Sequence, residues 1–455
     1  MNKVWIGFTK NKSLWLAAVA VAIGVAAKFS LTTGQLLPGL DGAYYWVQVR
    51  SLLENQKLAF DDLPLLFWVQ AAFAGLFGDI PTAVRFSDAV LPALAAIPIY
   101  LMTRSAKSAW LPAVTILVVL LFPAQLYFFT GDFIKNAAAI PVVFFISWIL
   151  ASWHTMPKRW SISGLALGLL VLGLTHFGTL LLALSIVGLW LLLQLRNRTW
   201  RFWVLSTLIA LASTAAVLAG LAVLVPARYE RLINFVTSPD VVFESPVWYM
   251  ILHGFGEPSM AFTIGFAQVA ALVLVVVSWR IRKALEFSQL SLVVSSLIVA
   301  VVFSSPLIGF EWSYRLAAMA FVPLAVTAVV LWPHLGRGWY KPVLWALALA
   351  SLAASLLFYG QGAKRPVLSD AQYQEFKVLA KDAKLADNSV IVAAHGLEYL
   401  SAWQLKTHIV QDTFFDSTDL SGYSAVYAVE DKMHPSGYSG VLVFENDTFT
   451  LKKIR

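Results

Sequence analysis

The sequence predicts a polytopic α-helical membrane protein with one small, water-facing α/β domain at its C-terminus. Three observations predict it. Apolar residues make up 59% of the chain and charged ones 13%, against about 45–50% and about 25% in an ordinary soluble domain. A soluble chain of 455 residues could not cover so apolar a core with so few charges, whereas lipid as the outer solvent removes that demand. The apolar residues also fall in runs near the roughly 20 that a helix needs to cross hydrocarbon. Finally, the composition turns polar after about Gly360. Many of the 18 Trp and 14 Tyr stand near the ends of the apolar runs, as in interfacial belts. The net charge of +8 does not point to nucleic acid. Its Lys and Arg residues form short clusters between apolar runs, the pattern of cytoplasmic loops. With no cysteine, a disulfide framework and any Cys-based zinc or redox site are excluded.

The elements follow in order. Met1–Lys12 is short and basic, and the apolar Ser13–Phe29 has no cleavage site, because Ala26-Ala27 runs straight into Lys28. It reads as an uncleaved anchor with its N-terminus inside. Further apolar runs cover 83–103, 109–129, 133–153, 161–175, 177–195, 201–225, 261–279, 287–304, 314–332 and 342–359, about eleven spans in all. Connections holding Arg104/Lys107, Lys158/Arg159, Arg196/Arg198/Arg201, Arg280/Arg282/Lys283 and Arg337/Lys341 then all lie on the side of the N-terminus, which satisfies the positive-inside rule. The other connections and the tail face out. Leu63–Gly78 is apolar but short and bounded by Asp61, Asp62, Pro64 and Asp79. As a span it would reverse every later loop, so it is placed, with Tyr44–Gln56, as an interfacial helix on the outer face. Residues 1–360 thus form a transmembrane domain and 361–455 an extracytoplasmic one. Within the latter, Ser369–Lys384 and Glu398–Leu405 read as helices. Val390–Ala394, Thr407–Gln411, Ala425–Val429, Val441–Phe444 and Phe449–Lys452 read as strands.

Ionisable residues inside spans mark transport paths, and here the spans are nearly free of them. The notable charges collect on the outer face: Asp41, Arg50, Asp61, Asp62, Asp132, Lys135, His176, Glu257, Glu311 and Arg315. That distribution suits an enzyme working at the outer leaflet better than a conduction path. Each residue also has a plainer role. Asp41 can be a general base or metal ligand, or the N-cap of the following helix. Asp132 can cap the helix that Lys135 enters. Lys135 is mildly unfavourable on a first turn unless a phosphate sits there, or it can snorkel to the interface. Glu257 precedes Pro258 at a helix start. Arg315 can anchor a helix or grip phosphate bidentately. His176 sits in a tight turn.

This pattern resembles the GT-C superfamily of polyprenyl-phosphate-dependent glycosyltransferases, most of all its oligosaccharyltransferase catalytic-subunit branch. The first outer loop reads Asp41-Gly-Ala-Tyr-Tyr with Arg50 following; the second reads Gly131-Asp-Phe-Ile-Lys-Asn; a long outer loop ends in Gly-Phe-Gly-Glu257-Pro; and a span opens Tyr314-Arg-Leu-Ala. The resemblance implies catalytic carboxylates at Asp41, Asp132 and Glu257, the same three as ligands of any metal, and donor-phosphate contacts from Lys135, Arg315 and Arg50. For cofactors it leaves two options, a divalent Mg2+ or Mn2+ ion or none, because Lys135 stands near where a second acidic ligand belongs. Asp387–Leu400 resembles the strand and turn that carry Trp-Trp-Asp-Tyr-Gly in oligosaccharyltransferases. That motif is absent, and Ala394-His-Gly-Leu-Glu398 stands in its place, which argues against ordinary sequon glycosylation and leaves His395 and Glu398 on the acceptor side. The implied function is transfer of a sugar or oligosaccharide from a polyprenyl-(pyro)phosphate donor to a protein, lipid or polysaccharide acceptor at the outer face of a plasma membrane. A polytopic transporter or lipid-linked glycan flippase is the alternative.

Overall fold

The computed structural model describes residues 12–104, 108–130, 133–195, 258–305, 310–335, 338–361 and 366–455, with scattered positions between 215 and 234. In lipid a backbone must satisfy its own hydrogen bonds, and the apolar runs accordingly form helices. They are α1 (Lys12–Ser30), α2 (Gly42–Asn55), α3 (Leu65–Phe77), α4 (Ile80–Val90), α5 (Ala96–Thr103), α6 (Leu111–Leu121), α7 (Pro123–Thr130) and α8 (Ile134–Ala151). Next come α9 (Lys158–Thr175), α10 (Phe177–Leu195), α11 (Pro258–Ile281), α12 (Phe287–Phe303), α13 (Phe310–Met319), α14 (Phe321–Leu331) and α15 (Tyr340–Gln361).

Seven described helical stretches are long and apolar enough to cross a bilayer, so the chain is a multi-pass membrane protein. The expected count of eleven is not confirmed. The run 109–129 is two helices, because Phe122 turns extended (ψ 139°) ahead of Pro123, as a pre-proline residue prefers. α12 has 17 residues, and 201–225 lies almost wholly outside the described residues. Leu63–Gly78 forms only the 13-residue α3, about 20 Å long at 1.5 Å per residue and short for hydrocarbon about 30 Å thick.

Small residues let the helices approach closely. On α1, Gly24 lies so near Leu120 of α6 that a Cβ there would fall 2.7 Å from its Cδ1. Basic residues meet tryptophans at the ends expected to share one side. Lys12 lies over Trp110 and Lys158 over Trp153. Trp153 packs on Trp190, whose indole N–H donates to the Ser288 carbonyl at 3.0 Å.

The C-terminal part holds α16 (Asp370–Asp382), β1 (Ser389–Ala393), α17 (Leu397–Leu405), β2 (His408–Gln411), β3 (Ala425–Asp431), β4 (Val441–Glu445) and β5 (Phe449–Lys453). Ser369 and Gln372 form a capping box that starts α16. The sheet runs β2-β1-β3-β5-β4. β1 is parallel to both β2 and β3, and β5 is antiparallel to β3 and β4. Each expected strand and helix appears within two residues of its expected bounds.

One side of this domain keeps a core of its own, around Val390, Val392, Leu420 and Val426; the other side is shared. Phe376, Ile391, Leu400, Tyr427 and Phe449 belong to one buried cluster with Leu36, Leu37, Tyr45, Trp46, Val49 and Phe67 of the first loop region and Ile134 of α8. α17 lies along α2, with Trp403 against Trp46 and Tyr399 against Tyr44. Gln35 is bound by α16: its N–H donates to Asp370, and its side-chain oxygen accepts from Gln374 and Lys377.

Candidate active site

Asp41 opens α2. It occupies the N-cap position, yet its side chain makes no cap hydrogen bond. The reason is conformational: its φ of −90° and ψ of 8° are not the extended values at which a cap side chain reaches the N2 or N3 amide. The carboxylate instead faces the turn after β1, where His395 Nε2 lies 3.8 Å from Asp41 Oδ1. His395 is fixed from behind, since its Nδ1 is 2.9 Å from Glu398 Oε1, a side chain only 2% exposed. Gly396 makes the turn possible. Its φ is +97°, and a Cβ there would fall 2.8 Å from Val367 and 3.4 Å from Leu40. The C-terminal turn is therefore pressed against the loop that carries Asp41. Three residues singled out in the sequence, Asp41, His395 and Glu398, stand together.

Lys135, on the first turn of α8, is ion-paired with Asp62. Asp62 is buried; it also accepts from the Tyr44 hydroxyl and from the Leu63 amide. Gln48 completes the network by donating to the Tyr44 oxygen and the Phe60 carbonyl and accepting from the Phe60 amide, at 2.9, 2.9 and 3.0 Å. The loop 56–64 is thus tied to both α2 and α8. From the sequence, Asp62 counted among the outer-face charges and bounded an apolar segment, but it was given no role of its own. The available signal was the acidic pair Asp61-Asp62 ahead of Leu63-Pro64. Arg315, exposed on α13, lies over Phe133 with its guanidinium carbon 5.9 Å from the ring centre. It therefore borders the start of α8.

Arg50, expected from the sequence on the donor side, is engaged with the C-terminal domain. Its two terminal nitrogens donate to the carbonyls of Trp403 and Ala402 at 2.7 and 2.9 Å, and it stacks over Trp403. It clamps the C-terminal end of α17, where free carbonyls and the helix dipole favour a cation. His176 is a turn residue whose ring nitrogen accepts from the Thr179 amide at 3.2 Å. Asp132, Glu257 and the side chain of Glu311 lie outside the described residues. Of the three expected metal ligands, only Asp41 can be placed, and its ionic neighbour is an imidazole. Among the described residues no group of three His, Asp or Glu side chains is arranged to hold a metal ion. The described residues alone do not make a metal centre.

Two buried ionisable residues lie within the apolar helices α1 and α4. Lys28 of α1 and Asp88 of α4 are each 1% exposed. Asp88 accepts from Gln70 of α3 and from Ser87, and all four side chains are sealed from the surface.

No family model matches the sequence, and no curated protein matches it. Solved structures do. ArnT from Cupriavidus metallidurans bound to undecaprenyl phosphate aligns with a TM-score of 0.54 at 13% identity, over 97% of this chain and 98% of that one. Its apo state aligns at 0.57 and 14% identity, over 99% and 98% of the two chains. The Archaeoglobus fulgidus oligosaccharyltransferase tethered with an acceptor peptide containing the NVT sequon aligns at 0.59 and 10% identity, over 91% of this chain and 69% of that one. AglB from the same organism, in complex with an inhibitory peptide and a dolichol-phosphate, aligns at 0.56 and 12% identity, over 92% and 70%. Over nearly its whole length, helices and C-terminal domain together, the chain shares the fold of these ArnT and oligosaccharyltransferase structures.

Proposed function

We propose that this chain is a membrane glycosyltransferase that moves a sugar or oligosaccharide from a polyprenyl-(pyro)phosphate donor to an acceptor at the outer face of a plasma membrane. The observation that carries the reading is Asp41. Its carboxylate sits at the helix start but makes no cap bond, and it faces the His395–Glu398 pair of the C-terminal domain. The fold shared with structures holding undecaprenyl phosphate, dolichol-phosphate and an acceptor peptide supports it.

When the bond to phosphate breaks, the anomeric carbon becomes oxocarbenium-like and the leaving oxygen gains negative charge. Such a site needs a carboxylate to orient the acceptor and cations aimed at the leaving group. Asp41 serves the acceptor. Lys135 and Arg315 serve the phosphate, and Asp62 holds Lys135 in place. Asp132 and Glu257, which lie outside the described residues, are kept as the further carboxylates of this reading. Arg50 is reassigned from donor binding to holding α17. A transporter needs a polar path through the spans. The buried Lys28, Asp88, Gln70 and Ser87 form a sealed cluster and supply none.

The test is complementation of the null strain with Asp41→Ala and Asp41→Asn at matched protein levels, reading surface glycans by mass spectrometry. Both variants should lose a glycan that the unaltered chain restores. If both restore it, Asp41 is not catalytic and the transferase reading fails.

A further inference from the structure

The transmembrane helices do not fill all of the space between them. α15 rests on α6 and α7 and meets the bundle at two further places. Trp345 packs edge-on against Trp332 at 5.2 Å, and Phe358 packs against Phe262 of α11 at 5.9 Å. Between these contacts the facing residues are small: Ala348 on α15, Ala270 on α11, and Ala325 and Ala328 on α14. Methyl groups cannot reach across a gap that aromatic rings hold open. An apolar crevice of about 760 Å³, its open side included, remains there. Protein interiors are otherwise close-packed, so a space of this size calls for an occupant. Thr115 on its wall spends its hydroxyl on the Leu111 carbonyl at 2.9 Å, so the walls suit a hydrocarbon chain and not water. Val118, Ala325 and Leu347 are only half-buried, which leaves one side open to lipid.

Length and charge say which chain. The crevice runs along α6 from Leu111 to Phe122 and along α14 from Phe321 to Trp332, about 16 Å at 1.5 Å per residue. That is roughly half of the 30 Å of hydrocarbon, the depth of one leaflet. Its mid-membrane end is closed, because Phe122 stacks on Phe321 at 4.5 Å and meets Phe266 at 5.5 Å. Arg315 lies beyond that closed end, so the crevice does not open toward the donor phosphate of the reading above. At the other end, basic and aromatic residues meet. Lys12 lies over Trp110, the residue before Leu111, and Trp339 packs on Tyr340 with ring centres 4.4 Å apart. Lys341 stands one turn ahead of Leu344 and Trp345, on the same face of α15. Ammonium groups beside indoles at the mouth of an apolar slot match an anionic headgroup above its acyl chain.

We propose that this crevice binds one anionic phospholipid from the leaflet at the Lys12 end of α1. One acyl chain lies between α6, α14 and α15, and the phosphate lies at Lys12 and Lys341. The chain supplies the packing that the four alanines leave out. It thereby holds α15, the helix that leads into the C-terminal domain, against the bundle. Nothing in this depends on the transferase reading.

The experiment uses full-length protein purified in mild detergent and stripped of lipid. Separate samples are titrated with dioleoyl phosphatidylglycerol, dioleoyl phosphatidylcholine and undecaprenyl phosphate, bound lipids being counted by native mass spectrometry. One phosphatidylglycerol should bind and raise the unfolding temperature. Lys341→Ala should weaken it about fivefold, the effect of one lysine near a lipid phosphate, and should leave phosphatidylcholine unchanged. Ala348→Trp, which fills the crevice, should abolish the bound lipid. A phosphatidylglycerol with a diazirine midway along one chain should crosslink to residues 111–122 or 344–348 of the unaltered protein, a readout that does not need either variant to fold. Crosslinks scattered over the exposed Leu356 and Leu357, equal binding of the two phospholipids, or full occupancy in a folded Ala348→Trp each overturns the proposal. Displacement of phosphatidylglycerol by equimolar undecaprenyl phosphate overturns it too, since the crevice would then hold a polyprenyl chain.

Discussion

Tyr45 illustrates how one residue's setting fixes its behaviour. It is 1% exposed. Burial first, then the nearby Asp41 and Asp88, hold its phenol well above the ordinary value of 10.0. A folded state that keeps a proton the unfolded chain gives up loses stability as pH rises through the unfolded value. Unfolding temperature should therefore fall above about pH 10, and Tyr45→Phe should flatten that fall. An unchanged slope in thermal scans between those conditions would contradict it. Lys135 makes a second case. Its partner Asp62 is nearly fully buried, so Asp62→Ala leaves an ammonium without its carboxylate and should cost roughly 3 kcal/mol. The double change with Lys135→Met should recover most of that loss in a denaturation cycle. This pair was not legible in the sequence, because Asp62 and Lys135 lie 73 positions apart and no local rule links them. Asp41 was legible as a polar residue of note, but whether it caps α2 depended on backbone angles that the sequence does not fix.

Among the elements, α17 depends on a residue from the far end of the chain. Arg50 donates to two of its last carbonyls from 353 and 352 positions away. Charge-assisted bonds of this kind contribute about 1.5–3 kcal/mol each. Arg50→Ala should loosen residues 397–405, seen as faster amide exchange there before any change in the spans. Arg50→Lys should not restore protection, because a single ammonium cannot reach both carbonyls as the planar fork does. Protection unchanged in Arg50→Ala would sink the idea. The element itself was plain in the sequence, as were all five strands, since alternation and capping residues are local signals. The break between α6 and α7 was equally local, at Phe122-Pro123. It was read through because hydropathy continues across it while the backbone does not.

For the whole molecule, the decisive feature is the cluster shared by the first loop region and the C-terminal sheet. Composition marks a border near residue 360, but burial crosses it. Deleting 366–455 should leave Trp46, Val49 and Phe67 facing water, and the truncated chain should aggregate when extracted in detergent. A monodisperse, protease-resistant truncated chain would refute this. Side chains that meet only in three dimensions carry no mark in the sequence, so the fold was more legible than its joints.

The shared cluster also imposes an order in time. The loop region that bears Asp41 is synthesised early, whereas Leu400, Tyr427 and Phe449, which cover it, come from the last sixth of the chain. Contacts so distant in sequence form slowly. Every nascent molecule therefore carries the loop that bears Asp41 uncovered until the ribosome has nearly finished. A chain cut short by premature termination would retain its membrane helices and an uncovered apolar face, the kind of surface that chaperones and proteases recognise. Completion of the polypeptide is thus itself a checkpoint on assembly of the site.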